Sequence, residues 1–562
     1  MEYSIIKARQ KTSYRLAESS LFLGSFIIIL SVIILSIWQP VFTSLLLISY
    51  AFLWIFKLTI NLIYAIYSFK EYQKWSKINV ADWVNQFNQK EQFLKKLTDF
   101  QKQFENKLSW NQKLQADVNN YNSLVDTGSK YQEINNVFQV VVFATYNESG
   151  QVLTKSLKYL YDSKWDLDKL LVVISQEARA GNDHNSNTHK QIQQLDWINL
   201  NTNLNHQLVS DKLNILITAH PDGIEGEIKG KASNEDWGAR RAHEYLEAQK
   251  IDLDLVIVTS LDADSHIQPL FFHHLALRFC LTPNRHQTGY QPVHIYSNNF
   301  FDIGFWPKIV SLQTTIYNLI NLNLTGETHF FAIYSIPLKT LIEVDFWVRD
   351  VIAEDSLLFD KCLIHYEGDF KVIPHYGVFE GDGAESDDYL EEIIGQYKQL
   401  QRWAWGGVES LPYLFDRFKQ VDSRSNFDIR KRFRWLYLRY TNHIFWATSP
   451  FIFGFGTFLP LFFYTGEVNN FNAGQSLIIF SQYFSYLSII FSLIFIYFTF
   501  SLTINSYNQK QNQKISLKQI LEIIFQSLIS PIIFLVMGLP ALDAQFRGLT
   551  GNYLGYWVTP KK

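Results

Sequence analysis

The sequence holds only two cysteines in 562 residues, Cys280 and Cys362. Two thiols supply neither a disulfide framework nor a cysteine-rich zinc site, and they fit a reducing compartment for the part of the chain that carries them. An excess of charge is also missing. Lys plus Arg is 50 and Asp plus Glu is 53, a formal net charge of −3, which excludes a protein whose main task is coating nucleic acid. Charged residues make up 18% of the chain and aromatic residues 16%, both averages over very unlike regions. Charge is absent from whole stretches, and those stretches exclude a wholly soluble protein.

The first uncharged run, Leu21 to Trp38, is long enough to cross a bilayer core of ~30 Å as a helix. A second run starts at Val41 after Gln39 and Pro40, meets Lys57, and stays apolar to Phe69. No small-residue cleavage site follows the first run and a second span comes at once, so a helical hairpin is expected rather than a cleaved leader. Lys7, Arg9, Lys11 and Arg15 precede it. By the positive-inside rule the N-terminus is then cytoplasmic, and the chain after Lys70 resumes on that side.

A second apolar cluster lies near the other end, at Ile444 to Tyr464 and Ser476 to Thr503. Upstream, Ile429 to Tyr440 alternates arginines with aromatics, a pattern suited to a membrane surface with guanidinium groups toward anionic headgroups. A fifth apolar stretch, Ile523 to Leu542, is interrupted by Pro531 and Pro540. Hydropathy alone reads it as a crossing.

Between the clusters, residues 71–137 are polar with apolar positions at helical spacing: Trp83, Phe87, Phe93, Leu97, Phe100 and Phe104. Amphipathic helices with a structural role are expected there. From Phe138 to about Gln420 the pattern becomes short β-branched runs separated by helical stretches. Phe138–Thr145, Leu170–Ser175, Leu213–Thr218 and Leu253–Ser260 are apolar on both faces, as buried and mostly parallel strands are. Ligands in such α/β folds bind at the carboxyl edge of the strands.

The strand ends carry the polar residues. The first ends in Thr145-Tyr146-Asn147-Glu148, which can hold a base or ribose or simply cap a helix. The fourth runs into Asp262-Ala263-Asp264, where alternate residues of an extended strand would aim two carboxylates at one hard cation, Mg²⁺ or Mn²⁺. Glu354 and Asp355 open an apolar helical stretch; they can serve the helix dipole, or a shielded carboxylate there can take a proton from an attacking hydroxyl. Gln399 and Arg402, three apart on one helix, can grip a diphosphate, and Trp403 can stack on a sugar ring.

The ordered set TYNE, DAD, AED and QLQRW, lying between two helical clusters, resembles membrane-integral family 2 glycosyltransferases, the group of cellulose, chitin and hyaluronan synthases. The resemblance covers about Phe138 to Gly407 and the membrane layout. It implies a GT-A fold, an α/β Rossmann-like cytoplasmic domain inserted between transmembrane helices, that binds a nucleotide sugar, UDP-linked in that group. It places Thr145, Tyr146, Asn147 and Glu148 near the nucleotide, Asp262 and Asp264 on a divalent metal at the diphosphate, and Asp355 with Glu354 at the catalytic base. Gln399 and Arg402 then face the diphosphate and Trp403 the acceptor. Reaction would be inverting, with metal and Arg402 stabilising the leaving group. Ser175-Gln176-Glu177 stands where Asp-Asp-Gly is common, so Glu177 takes the place of a uracil-contacting Asp. Lys229 and Lys231 both suit a lysine near the diphosphate. Tyr556 to Lys561 resembles the gating loop of cellulose synthase, with Val558, Thr559 and Lys561 as its motif residues. That would keep the C-terminus cytoplasmic and make 523–542 a re-entrant or surface segment broken at Pro531.

The expected layout is a tail and hairpin over 1–70, a helical linker over 71–137, a GT-A domain over 138–420, and an interface helix, membrane helices and gating tail over 421–562. The expected localisation is multi-pass in the plasma membrane, with partners a nucleotide sugar, a glycan or lipid-linked acceptor and the bilayer, and no nucleic acid. Three functions remain open at this point: transfer to a growing polysaccharide, transfer of one sugar to a lipid acceptor, and a non-catalytic membrane scaffold. Asp262, Asp264, Asp355 and Arg402 together disfavour the last.

Overall fold

The computed structural model describes residues 3–102, 108–204, 207–324, 328–385, 388–422, 425–464, 516–534 and 537–555, with isolated positions between 472 and 501. Its centre is a nine-stranded mixed sheet. The strands are β1 (Phe138–Thr145), β2 (Leu170–Glu177), β3 (Ile198–Asn201), β4 (Leu213–His220) and β5 (Val256–Leu261), then β6 (His266–Ile267), β7 (Thr288–Tyr296), β8 (Tyr334–Pro337) and β9 (Lys371–Gly381). Their order is β3-β4-β2-β1-β5-β8-β7-β9-β6. The first five are parallel, β8 runs antiparallel to β5 and β7, and β7 and β9 are parallel.

The four expected strands form, for the expected reason: β1, β2, β4 and β5 are buried almost throughout. Their boundaries differ in places: β4 runs on to His220 and β5 to Leu261. Leu253–Leu255 is a 3-10 turn, started by Asp252, whose carboxylate accepts the Asp254 N–H at 3.1 Å, so β5 begins only at Val256. β2 continues past Ser175 because Gln176 and Glu177 still pair with β4. In the register, Thr145 lies opposite Gln176 and Phe143 opposite Leu261. The ends of β1, β2 and β5 therefore share one edge, and the chain reverses its direction of travel across the sheet at β1, where open α/β sheets bind ligands.

The Lys231–Ala248 helix lies over this edge. It lies close to the sheet at Gly238, where a Cβ would stand 3.0 Å from the Ser175 Cβ and 3.2 Å from Val142 Cγ1. Glycine is needed there for the helix to lie this close to β1 and β2.

The linker forms the Val80–Asn85, Lys90–Lys102 and Leu108–Asp126 helices. Trp83, Phe87, Phe93, Leu97 and Phe100 are buried as their spacing predicts, and Phe104 lies outside the described residues. Arg278 bonds Asp117 at 3.0 Å, which ties the last of these helices to the sheet domain, and Trp75, at the end of the Pro40–Trp75 helix, stacks on Tyr376 of β9.

Among the described residues two helices, Thr12–Trp38 and Pro40–Trp75, are long and apolar enough to cross a membrane. Pro40 starts the second, at a position whose N–H no helix bond needs. Ile429–Gly454 and Gly456–Phe463 form a pair bent by 46° that would count as a third span if taken as one. Most of the expected span 476–503 lies outside the described residues. The 523–542 stretch is not one helix. Leu517–Phe534 runs straight through Pro531, contrary to the expected break, and a second helix begins at Gly538. Pro540 sits in the first turn of that helix, where a missing N–H costs nothing.

The Gly538–Thr550 helix packs against the Tyr389–Phe418, Thr12–Trp38 and Ile429–Gly454 helices. Asp543 accepts the Tyr397 hydroxyl at 3.0 Å and bonds the Gln401 amide, while Gln545 bonds Ser25 and the His443 carbonyl. Arg15 donates to the carbonyls of Gly548 and Leu549, each at 2.9 Å. The chain therefore returns to the helix that carries Gln399 and Arg402. Val558, Thr559 and Lys561 lie outside the described residues.

Candidate active site

The site forms where Lys231, the first residue of its helix, meets the loop after β5. Its ammonium lies 2.9 Å from Asp262 Oδ1, 2.9 Å from Glu354 Oε1 and 3.6 Å from Glu235 Oε1. The Lys231 side chain is 11% exposed and Asp262 41%, so the cluster opens to solvent on the aspartate side. A helix N-terminus adds its own positive end to that ammonium, a suitable setting for phosphate oxygens.

The two candidate lysines separate cleanly. Lys231 enters the cluster, whereas Lys229 is exposed and pairs with Asp222 at 2.8 Å. Lys229 is thus engaged by Asp222 rather than by the cluster.

Asp262 and Asp264 do not sit on an extended strand end. β5 stops at Leu261, and Asp262–Ser265 form a turn closed by the Ser265 N–H on the Asp262 carbonyl at 2.9 Å. The turn is held from below by Ser156, whose hydroxyl donates to the Ala263 carbonyl at 2.7 Å. Asp262 is half-exposed and Asp264 buried. Both carboxylates, with Arg402 and Lys231, act on Tyr296 at the end of β7: its hydroxyl is pushed well up by burial, then by Asp262 and Asp264, against the pull of Arg402 and Lys231.

Among the described residues no three His, Cys, Asp or Glu side chains form a ready cage for a metal. A pair of carboxylates with a nearby cationic pocket still fits Mg²⁺ or Mn²⁺, which take one or two protein carboxylates and complete their shell with substrate phosphates and water.

The acidic pair at the start of the Glu354–His365 helix divides. Glu354 is buried against Lys231, and burial raises its carboxyl against the lowering effect of Lys231. Asp355 is half-buried; its Oδ2 accepts the Ala332 N–H at 3.1 Å and its Oδ1 the Ser356 N–H at 2.6 Å. Two carboxylates that look equivalent in sequence therefore face different partners. Glu235, absent from the sequence-based expectations, lies fully buried beneath Lys231 and accepts the Ser260 hydroxyl. Burial drives its carboxyl strongly upward, with Lys231 opposing and Glu354 reinforcing.

At the end of β1, Thr145 is turned inward and donates to the Ser175 carbonyl at 3.1 Å. Asn234 closes the same corner, donating to the carbonyls of Thr145 and Ser175 at 3.1 and 2.9 Å. Glu148 accepts the Tyr146 N–H at 2.6 Å, and Asn147 is exposed. Glu177 pairs with Arg179, whose guanidinium lies 3.9 Å from the centre of the Tyr146 ring. A shallow pocket beside them is lined by Glu177, Arg179, His220, Asp222, Glu227 and Lys229.

Gln399, Arg402 and Trp403 lie midway along the Tyr389–Phe418 helix, whose first turn is capped by Asp388 at 2.8 and 3.0 Å from the Leu390 and Glu391 N–H groups. All three are half-buried, whereas neighbouring Leu400, Gln401 and Ala404 are buried. The helix thus turns the three motif residues away from its packed side.

No curated protein matches the chain. Among solved structures, the mannosyltransferase PcManGT from Pyrobaculum calidifontis, in complex with GDP-Man and Mn²⁺, is similar with a TM-score of 0.36 and 13% identity, over 70% of this chain and 87% of that one. TarS from S. aureus in complex with UDP-GlcNAc is similar with a TM-score of 0.29 and 12% identity, over 67% and 92%. The model of the family described as glycosyl transferase family group 2 matches residues 257–504. That stretch includes Asp262, Asp264, Glu354, Asp355, Gln399, Arg402 and Trp403, and begins after Thr145, Glu177 and Lys231. The match supports a glycosyltransferase of the family 2 group.

Proposed function

We propose that the protein is an inverting glycosyltransferase that moves a sugar from a nucleotide donor, a UDP-sugar, to a glycan acceptor at the cytoplasmic face of the plasma membrane. The observation that carries this is the Lys231 ammonium held 2.9 Å from both Asp262 and Glu354, which joins three separate chain segments at the carboxyl edge of the sheet.

In this account Tyr146, Asn147, Glu148 and Glu177 surround the nucleoside, and Thr145 keeps the end of β1 in place. Asp262 and Asp264 would hold Mg²⁺ or Mn²⁺, which when bound supplies positive charge to the diphosphate. Lys231 and Arg402 add fixed positive charge where the leaving group gains negative charge, and Gln399 donates to the same oxygens. Glu354 keeps Lys231 aimed there. Trp403 stacks on the acceptor ring. The Asp355 carboxylate takes the acceptor hydroxyl proton as that oxygen bonds to the anomeric carbon from the face opposite the diphosphate, and the bond from the anomeric carbon to the phosphate oxygen breaks. The two apolar N-terminal helices hold the domain against the bilayer.

Membranes containing the protein, incubated with radiolabelled nucleotide sugars and Mn²⁺, test this directly. A ladder of long products on a gel is expected. A single organic-soluble product would redirect the acceptor to a lipid, and no turnover of any nucleotide sugar would overturn the assignment.

A further inference from the structure

The loop that leads into Glu354 and Asp355 is gripped from two sides by carboxylates outside the reaction. Asp350 accepts the Ser4 hydroxyl at 2.7 Å and the Ile6 N–H at 2.9 Å, both from the N-terminal segment. Glu409 accepts the Ile352 N–H at 3.0 Å and the Ala353 N–H at 2.9 Å through Oε2, and the Trp405 indole N–H at 2.9 Å through Oε1. It is 1% exposed. Glu409 follows Arg402 by seven residues, about two helical turns, on the helix that also carries Gln399 and Trp403.

A buried carboxylate costs several kcal/mol unless its oxygens are satisfied. Here the Ile352, Ala353 and Trp405 donors belong to two elements of the proposed site. Arg9 supplies the opposing charge; it also bonds Glu18 at 3.3 Å and lies 3.7 Å over the Tyr553 ring. An apolar residue could fill the same volume, but it would leave the Ile352, Ala353 and Trp405 donors unmet in a dry interior.

We propose that Glu409 is a positioning residue: it fixes the backbone bearing Glu354 and Asp355 to the helix bearing Gln399, Arg402 and Trp403. The inference rests on the function proposed above and extends it to a residue that touches no substrate. Glutamine is the informative replacement. Its oxygen can meet Ile352 and Ala353, but its NH₂ then points at the Trp405 N–H, donor against donor.

Glu409→Gln in the full-length membrane protein is expected to lower kcat about 10- to 100-fold, with the Kd for the nucleoside diphosphate within about twofold of wild type. Amide hydrogen exchange at 352–353 should accelerate. Adding Trp405→Phe removes the opposing donor and should recover part of the lost kcat. Wild-type kcat in an inserted, nucleotide-binding Glu409→Gln protein would overturn the proposal. So would a lower kcat accompanied by unchanged exchange at 352–353. Should Glu409→Gln not insert, Trp405→Phe alone takes its place, with a kcat loss of about threefold to tenfold expected for one lost hydrogen bond and no loss overturning the proposal. Failure of the wild-type protein to turn over any nucleotide sugar would instead strike the function, and exchange at 352–353 would still report on the clamp.

Discussion

The Lys231 Nζ stands 2.9 Å from Asp262 Oδ1 while remaining 2.9 Å from Glu354 Oε1, so one ammonium spans the loop after β5 and the start of the Glu354–His365 helix. Its position at the first residue of a helix fixes it against the sheet edge. Glu235, one turn further along, supports it from below at 3.6 Å. A single side chain thus aligns the expected metal-binding loop with the acidic pair.

Lys231→Met would leave Glu235 and Glu354 buried beside Asp262 without their counter-charge. Breaking such a buried arrangement costs about 3–5 kcal/mol, so the melting temperature should fall and turnover should be lost. Adding Glu354→Gln removes one stranded charge and should restore part of the melting temperature without restoring turnover. Thermal unfolding of both variants in the same detergent checks this.

Protonation of Glu409 should move stability and activity in opposite directions. Burial lifts its carboxyl from 4.5 to about 7, opposed by Arg9 and by the N–H groups of Ala353 and Ile352. Tyr14, Glu18 and Tyr553 face Arg9 in the same cluster. A group whose value is raised by folding favours the fold most when protonated. Its contribution is complete below about 4.5 and is lost as pH rises through about 7. The carboxylate form, however, is the one that accepts all three N–H groups. Wild-type kcat should therefore fall as pH drops below about 7 even as this group's contribution to stability rises. Glu409→Gln should flatten both trends, and parallel melting and rate profiles between pH 5 and 8 read them together.

In the proposed layout the N-terminal hairpin inserts through the apolar surface of the Thr12–Trp38 helix, where Ile27 is 59% exposed. An arginine near the middle of a membrane helix costs about 2.5–3.5 kcal/mol on insertion scales. Ile27→Arg should therefore shift protein from the carbonate-resistant membrane pellet to the soluble or degraded fraction. Fractionation by immunoblot measures the shift.

Local pattern carried much of this architecture, and tertiary contact supplied the remainder. β1 was legible to the residue because Phe138–Thr145 is apolar on both faces and ends in a polar turn. The start of β5 was not, since Asp252 forms a capped turn that keeps Leu253–Leu255 out of the sheet despite its strand-like composition. Asp262 and Asp264 were expected on a strand end, because the turn that carries them was hidden in an apparent strand continuation. Lys229 and Lys231 looked alike because only the fold shows Asp222 taking the first. Glu235 and Glu409 went unseen for a related reason: an acid in a helix reads as a solvated face, and nothing local reports that the face is buried against Ser260 or against the backbone of Ile352 and Ala353.

The most direct test compares wild-type protein with Asp264→Ala in membranes supplied with radiolabelled nucleotide sugar and Mn²⁺. Asp264 is buried beside Asp262 and has no place in the membrane hairpin, so the variant should insert normally. The expected result is sugar transfer by the wild type and its loss, by about 100-fold or more, in the variant. Equal transfer by an equally inserted Asp264→Ala protein would contradict the account.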